Sequence, residues 1–355
     1  MELIMTDENF DSDTKKVLAS IEQLPNQIQD TWSQLSKLTF SIPREQIKHI
    51  VVCGMGGSII GADVLRSVFS SELSVPIFIV SDYHLPSFVG KESLVILSSY
   101  SGTTEEVLSC AQEAKERNAF ITGITQGGTL ATFLTSERIP SLIFTPTYNP
   151  SQQPRLALGY SIFGQIGLLA KIGMISLSNE TVSSVLSLMQ TTNAQYGNTV
   201  PEEMNDTKLL ARQLSTKIGF LISSEFLSGS THVMANQINE NAKHVAFSLV
   251  VPELNHHLLE SLSYPTSNAT TLHAVFFDSP LFDERNRKRL SITREVVGKN
   301  HISTSTYHFS ENEKLLTAMR MLHFGSYVSF YLGMIHGVNP SSIPWVDYFK
   351  EQLKK

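Results

Sequence analysis

Leu94-Val-Ile-Leu-Ser-Ser-Tyr-Ser-Gly-Thr-Thr-Glu-Glu106 passes from a continuous apolar run, through small hydroxyl residues and one glycine, into a helical pattern. His49-Ile-Val-Val-Cys-Gly-Met-Gly-Gly-Ser58 makes the same passage upstream. Short Val/Ile/Leu runs without polar alternation belong to strands buried on both faces, as in a parallel sheet covered by helices. A strand that turns directly into a helix leaves backbone N–H groups free at the helix N-terminus. Hydroxyls beside them complete a seat for a phosphate or another anion. Ser and Thr also favour these positions as ordinary helix caps, so one such turn decides little. Two of them, both at strand ends, favour an anion site.

Outward from these stretches the pattern alternates regularly. It predicts strand 49–53, helix 58–70, strands 75–80 and 93–98, helix 103–117, strand 119–124, helix 128–135 and strand 139–145. The run Pro-Thr-Tyr-Asn-Pro-Ser-Gln-Gln-Pro at 146–154 closes this unit. Helical pattern then holds from Arg155 to about Leu214, with Leu158, Ile162, Ile166, Leu169 and Ile172 on one face. A connector this long and apolar is expected to pack against a neighbouring subunit. A second alternation predicts strand 218–223, helix 230–243, strand 245–250, helix 256–262, strand 270–277, helix 282–297 and strand 302–308, then helices 312–335 and 345–354. Upstream, 10–37 reads as an amphipathic helix through Val17, Ile21, Leu24, Ile28 and Trp32, which Pro25 must bend or split. The expected organisation is an N-terminal helical segment (1–44), an α/β domain (45–152), a helical connector (153–215) and a second α/β domain with C-terminal helices (216–355). The fold class is α/β, with two doubly wound, mainly parallel sheets.

The 355 residues are enough for two domains of ordinary size or one large one, and a composition 41% hydrophobic and 17% charged is that of a soluble globular protein. A net charge of -6 argues against nucleic acid as a partner, and the one basic run, Arg285-Asn-Arg-Lys-Arg289, reads as a solvated helix face. Cys53 and Cys110 imply no disulfide framework, and Cys53 reads as a core residue of its strand rather than a nucleophile. The acidic start Met1-Glu-Leu-Ile-Met-Thr-Asp-Glu-Asn9 has no signal-peptide character, and no apolar run is long enough for a membrane span. The expectation is a cytoplasmic protein without a membrane partner.

A phosphate seat needs reacting groups, and the second half offers three. In Asn236-Gln-Ile-Asn-Glu-Asn-Ala-Lys243, Glu240 is a candidate general base. A helical Glu is commonly just solvated, but the amides around it suit a plain solvent face poorly. Pro252-Glu-Leu-Asn-His-His-Leu258 follows a predicted strand, at the end where open α/β sheets place ligands, and supplies His256 and His257. Adjacent histidines point in different directions, and no Cys or carboxylate stands at ligand spacing, so no metal site is expected. The last helix carries Lys350 after two aromatic residues, where a surface lysine is the ordinary reading. Arg155 can hold an anion or decorate the surface.

Taken together, Gly54-Met-Gly-Gly-Ser58, Ser99-Tyr-Ser-Gly-Thr-Thr-Glu-Glu106, Pro154-Arg155, Asn239-Glu-Asn-Ala-Lys243, Pro252-Glu-Leu-Asn-His256 and Phe349-Lys350 resemble the bifunctional phosphoglucose/phosphomannose isomerases, built from two sugar-isomerase (SIS) domains. The likeness runs from about residue 45 to the end. It implies an aldose–ketose isomerase that interconverts glucose 6-phosphate or mannose 6-phosphate with fructose 6-phosphate through a cis-enediol(ate), with no cofactor and no metal. It implies that Gly57, Ser58, Ser99, Ser101 and Thr104 hold the phosphate and that Glu240 moves the proton between C1 and C2. Arg155 would then offset the negative charge of the intermediate. His256 would assist ring opening from the other subunit of a homodimer, and Lys350 would assist it or bind the ring oxygens. The sequence departs from the family at Thr103, where Asn is common, at His257, and in the lead-in Ser342-Ile-Pro-Trp345. A non-catalytic sugar-phosphate sensor with the same pocket is the alternative. A metal-dependent mannose 6-phosphate isomerase is disfavoured by the missing ligand cluster.

Overall fold

The structure is a computed structural model that describes residues 11–353 and 355; the acidic N-terminal stretch, the start of the first expected helix and Lys354 lie outside these. The expected opening helix is two, α1 (Ser12–Glu22) and α2 (Leu24–Ser36). Pro25 causes the split: it stands in the first turn of α2, where its missing N–H removes no helical hydrogen bond.

The first unit runs β1 (His49–Gly54), α3 (Ile60–Phe69), β2 (Ile77–Val80), β3 (Ser93–Ser98), α4 (Glu105–Glu116), β4 (Phe120–Thr125), α5 (Gly128–Ser136) and β5 (Leu142–Ile143). All strands pair in parallel in the order β2-β1-β3-β4-β5. The order reverses between β1 and β3, so a crevice opens at the C-terminal ends of the two strands that carry the small-residue turns. Every residue of β3, and all of β1 after His49, is buried. The expected strand 139–145 shrinks to two residues, because at this sheet edge only Leu142 faces the core while Ile143 is exposed.

Three helices follow: α6 (Leu158–Ile172), α7 (Asn179–Tyr196) and α8 (Asp206–Leu214). The apolar stripe of α6 is covered within the chain, which corrects the expectation that it packs against another subunit. Gly159 lies so close to α2 that an added Cβ would stand 2.4 Å from the Gln27 Cβ, and Gly167 abuts Leu35. Helix α6 is buried on almost every face by this packing.

The second unit runs β6 (Ile218–Ser224), α9 (Ser228–Asn241), β7 (Ala246–Val251), α10 (Leu258–Ser261), α11 (Asn268–Thr271), β8 (Leu272–Asp278), α12 (Glu284–Lys299), β9 (Ser303–His308), α13 (Lys314–Ile335) and α14 (Pro344–Leu353). Its sheet is parallel, in the order β7-β6-β8-β9. The expected helix 256–262 is a 3-10 turn, Glu253–His256, and the single turn α10; His257, at φ −140°, interrupts them. The two units meet through α9 and α3. A Cβ at Gly229 would stand 2.5 Å from the Asp63 carbonyl, and His232 bonds the Asp63 carboxylate at 2.9 Å. Helix α14 projects from the body, with all its described residues exposed or nearly so.

Candidate active site

After β1 the chain turns through Gly56–Ser58 into α3, with Gly56 at φ +50°. Gly57 has no room for a side chain: a Cβ would meet the Arg155 nitrogen at 2.7 Å and the Pro154 carbonyl carbon at 2.8 Å. Ser58 binds this turn to the next. Its hydroxyl accepts the Tyr100 N–H at 2.9 Å, and its carbonyl accepts the Ser98 hydroxyl at 2.7 Å and the Gln165 amide at 3.1 Å.

After β3, the Ser99 hydroxyl accepts the Gly102 N–H at 3.1 Å and pairs with the Thr104 hydroxyl at 2.8 Å. The exposed Ser101 hydroxyl accepts from Thr103, both from its N–H at 3.3 Å and from its hydroxyl at 3.0 Å. Gly102, at φ +68°, passes so close to Gly127 that a Cβ would fall 1.8 Å from its carbonyl oxygen. Thr104 precedes α4 in extended conformation, and among the described residues no side chain caps that helix. The five residues expected to hold the phosphate therefore lie on two cross-tied turns at one crevice, beside an uncapped helix N-terminus.

Arg155 stands where these turns meet the second unit, and it is 3% exposed, so it is no surface residue. Its Nε donates to Asn241 Oδ1 at 2.6 Å and its Nη1 to Gln153 Oε1 at 2.8 Å. Its Nη2 donates to the carbonyls of Pro340 and Ser341 at 2.8 and 3.1 Å. The Glu240 carboxylate lies 3.4 Å from Nη1, with about a third of its side chain exposed. Burial pulls the guanidinium below its ordinary pKa and Glu240 opposes that pull; an arginine stays charged throughout. A buried cation is thus held beside a half-open carboxylate.

The amides of α9, odd for a solvent face, are explained by these contacts. Gln237 donates to the Arg155 carbonyl at 3.0 Å, Asn241 both receives Arg155 and donates to Ser329, and Asn239 ties α9 to both backbone groups of Ala246. A further series runs from Tyr100, whose hydroxyl accepts Asn149, through Asn149 to the Gln153 carbonyl, and so to Arg155. The phosphate turns and the Arg155–Glu240 pair form one connected structure.

His256 and Lys350 are exposed, and among the described residues no hydrogen bond or ion pair joins either to Arg155 or Glu240. The neighbouring His257 pairs with Glu253 at 2.9 Å. Sequence reasoning missed Gln153, Lys243 and the carbonyls of 339–341. Lys243 Nζ donates to the carbonyls of Glu240 and Asn339 at 2.9 and 2.8 Å, and burial, then the Arg155 charge, pull its pKa down to about 8. Among the described residues no cluster of three or more His, Cys, Asp or Glu side chains could hold a metal, and no helix is long and apolar enough to cross a membrane.

Two doubly wound sheets with a hydroxyl-lined crevice define a protein of the sugar-isomerase-domain class. Residues 203–353 match the bacterial phospho-glucose isomerase C-terminal SIS domain, and residues 45–134 match the SIS domain. The chain is 31% identical over 338 residues to the bifunctional phosphoglucose/phosphomannose isomerase of Caldicellulosiruptor bescii, spanning 94% of this chain and 98% of that one. It is 30% identical over 306 residues to the protein of the same name from Thermoplasma acidophilum, spanning 86% of this chain and 89% of that one. A hypothetical protein from Thermus thermophilus shares the fold, with a TM-score of 0.72 at 14% identity across 96% of this chain and 90% of that one. The chain belongs to the bifunctional phosphoglucose/phosphomannose isomerase family.

Proposed function

We propose that the protein is an aldose–ketose isomerase acting on glucose 6-phosphate, mannose 6-phosphate and fructose 6-phosphate. The observation that carries this reading is Arg155, whose backbone lies against the Gly57 turn and whose buried guanidinium stands 3.4 Å from the Glu240 carboxylate. The phosphate sits on Gly57, Ser58, Ser99, Ser101 and Thr104, so binding energy far from the reacting carbons orients them. With the ring open, Glu240 takes the proton from C2 of the aldose. The electron pair moves to the carbonyl oxygen O1, giving an enediolate; a proton passes from the O2 hydroxyl to O1, and Glu240 then returns its proton to C1 as the C2 carbonyl of the ketose forms. The developing negative charge is offset by Arg155. All of that residue's nitrogens already have protein partners, so it acts as a fixed, preorganised charge that need not move during the reaction.

Ring opening falls to His256 and Lys350. Their exposure, and their lack of a partner among the described residues, favour a homodimer in which His256 reaches the other subunit's site. The division into first and second SIS domains at 45–152 and 216–355, with a connector at 153–215, follows the same reading, as does a cytoplasmic location.

Turnover of glucose 6-phosphate and mannose 6-phosphate by the purified chain tests the reaction. Glu240→Gln is expected to lower kcat at least about a hundredfold while sugar-phosphate binding by calorimetry persists. Wild-type turnover by Glu240→Gln would falsify the proton-transfer role, and binding without turnover by the unaltered protein would favour a sensor.

A further inference from the structure

Helix α9 ends at Asn241, and two residues later Lys243 takes φ +51°. In that left-handed region Cβ crowds the backbone, and glycine is the ordinary occupant of this position after a helix. Asn118, Arg138 and His301 take the same conformation after α4, α5 and α12, so what sets Lys243 apart is where its side chain goes. Its Nζ turns back to the last turn of α9, donating to the Glu240 carbonyl at 2.9 Å and to the Asn241 carbonyl at a longer 3.4 Å. The same nitrogen reaches across to the Asn339 carbonyl at 2.8 Å. Asn339 belongs to the segment that leads from α13 into α14. Arg155 grips the next two carbonyls of that segment, and the Gln153 amide reaches the Ser341 hydroxyl at 3.3 Å. Three consecutive residues are thus held by two cations. One cation pairs with Glu240, and the other caps the helix that carries it.

We propose that Lys243 is a positioning residue of the isomerase reaction, whose ammonium fixes the Glu240 end of α9 to segment 339–341. The proposal rests on the isomerase reading above and gives Lys243 no contact with the substrate. Base, buried arginine and the helix bearing Lys350 share one geometry because this clamp joins them. The charged groups that face Lys243 are Glu240 on its own helix and Arg155 from the Pro154 turn. Segment 339–341 offers only amide and hydroxyl groups, and the next residue, His244, is engaged with the Lys217 carbonyl and with His336 at the end of α13. Burial of the ammonium and the nearby Arg155 charge lower its pKa to about 8, against the pull of Glu240. The clamp is therefore charged below about pH 8 and loses its charge above it.

Two variants separate positioning from mere folding. Lys243→Gly suits the left-handed backbone and removes the ammonium, whereas Lys243→Arg keeps a charge that does not titrate. Steady-state kinetics from about pH 6 to about pH 9 are measured together with amide hydrogen exchange over 341–353. Lys243→Gly is expected to lower kcat about tenfold with KM changed less than about twofold, and to speed exchange over 341–353. The alkaline fall in wild-type kcat near pH 8 is expected to move upward in Lys243→Arg, which restores most of the rate. A Lys243→Gly protein with wild-type kcat and pH profile overturns the proposal, and so does unchanged exchange. If the unaltered chain binds sugar phosphates without converting them, the isomerase reading falls and takes the catalytic half of the proposal with it. Faster exchange in Lys243→Gly would then still support the clamp.

Discussion

Gly57 shows how much of the site depends on a single missing side chain. Its Cα lies against the backbone of Pro154 and Arg155, and a methyl group there would meet main-chain atoms at 2.7 to 3.0 Å. Backbone cannot swing aside as a flexible side chain can, so Gly57→Ala must push the Arg155 turn away from the phosphate turn. Overpacking of this kind costs about 1–3 kcal/mol, and here the displacement also falls on the residue that faces Glu240. The expected outcome is a folded protein with a lower urea midpoint and kcat/KM reduced at least about tenfold. Gly57→Ala with wild-type kinetics would show that the contact between the two turns does not set the site's geometry. Arg155 makes the complementary point. Its partners Asn241 and Pro340 lie 86 and 185 residues away in sequence, so its burial was illegible from its own neighbourhood. Glu240 was easier to single out, because the amides beside it had no reason to line a solvent face.

Helices and strands carry the pH response of stability. On α13, His323 is fully buried, with its Nδ1 at 2.6 Å from the Thr192 hydroxyl and its Nε2 at 3.2 Å from the Ile21 carbonyl. Burial pushes its pKa down to about 4 from an ordinary 6.5, and the bond to Ile21 offsets only part of that. On β8, His273 is likewise pushed to about 4, by burial and then by the Lys217 charge. Both folded values lie below the unfolded one, so the stability they contribute is complete above about pH 6.5 and is lost as pH falls toward 4. Each histidine can cost at most about 1.4 kcal/mol for each pH unit in that window. Urea midpoints are therefore expected to decline from pH 6.5 to 4, less steeply in His323→Gln, whose amide can reach the same carbonyl. An equal slope in the variant would remove His323 as a cause. At this scale the alternation of the chain was readable, because strands buried on both faces must be continuously apolar. Where that requirement lapses the reading failed: β5 is a two-residue edge, and the segment after β7 is held by turns rather than by a helix.

The whole molecule leaves some of its largest apolar side chains on one unsupported helix. On α14, Trp345 is 82% exposed, Tyr348 57%, Phe349 61% and Leu353 65%, although the helix is amphipathic enough to have a face to bury. The connector helix α6, which the sequence suggested for subunit contact, is already covered by α2. The proposed dimer would then be built elsewhere; other large apolar residues such as Phe78, Met204 and Tyr264 are exposed too, but α14 gathers five of them, Trp345, Val346, Tyr348, Phe349 and Leu353, on one helix. His256 is exposed in the turn that follows the C-terminal end of β7. Light scattering is expected to give twice the chain mass, and Trp345→Glu with Phe349→Glu to halve it. The sharper test mixes two chains that are each inactive alone, Glu240→Gln and His256→Ala, after dissociation and reassociation. In a symmetric dimer whose site takes Glu240 from one chain and His256 from the other, each hybrid has one site with both groups intact and one with neither. Random pairing makes half of the dimers hybrids, so about a quarter of wild-type activity should return. If both groups act within one chain, every site in every dimer lacks one of them and no activity returns on mixing.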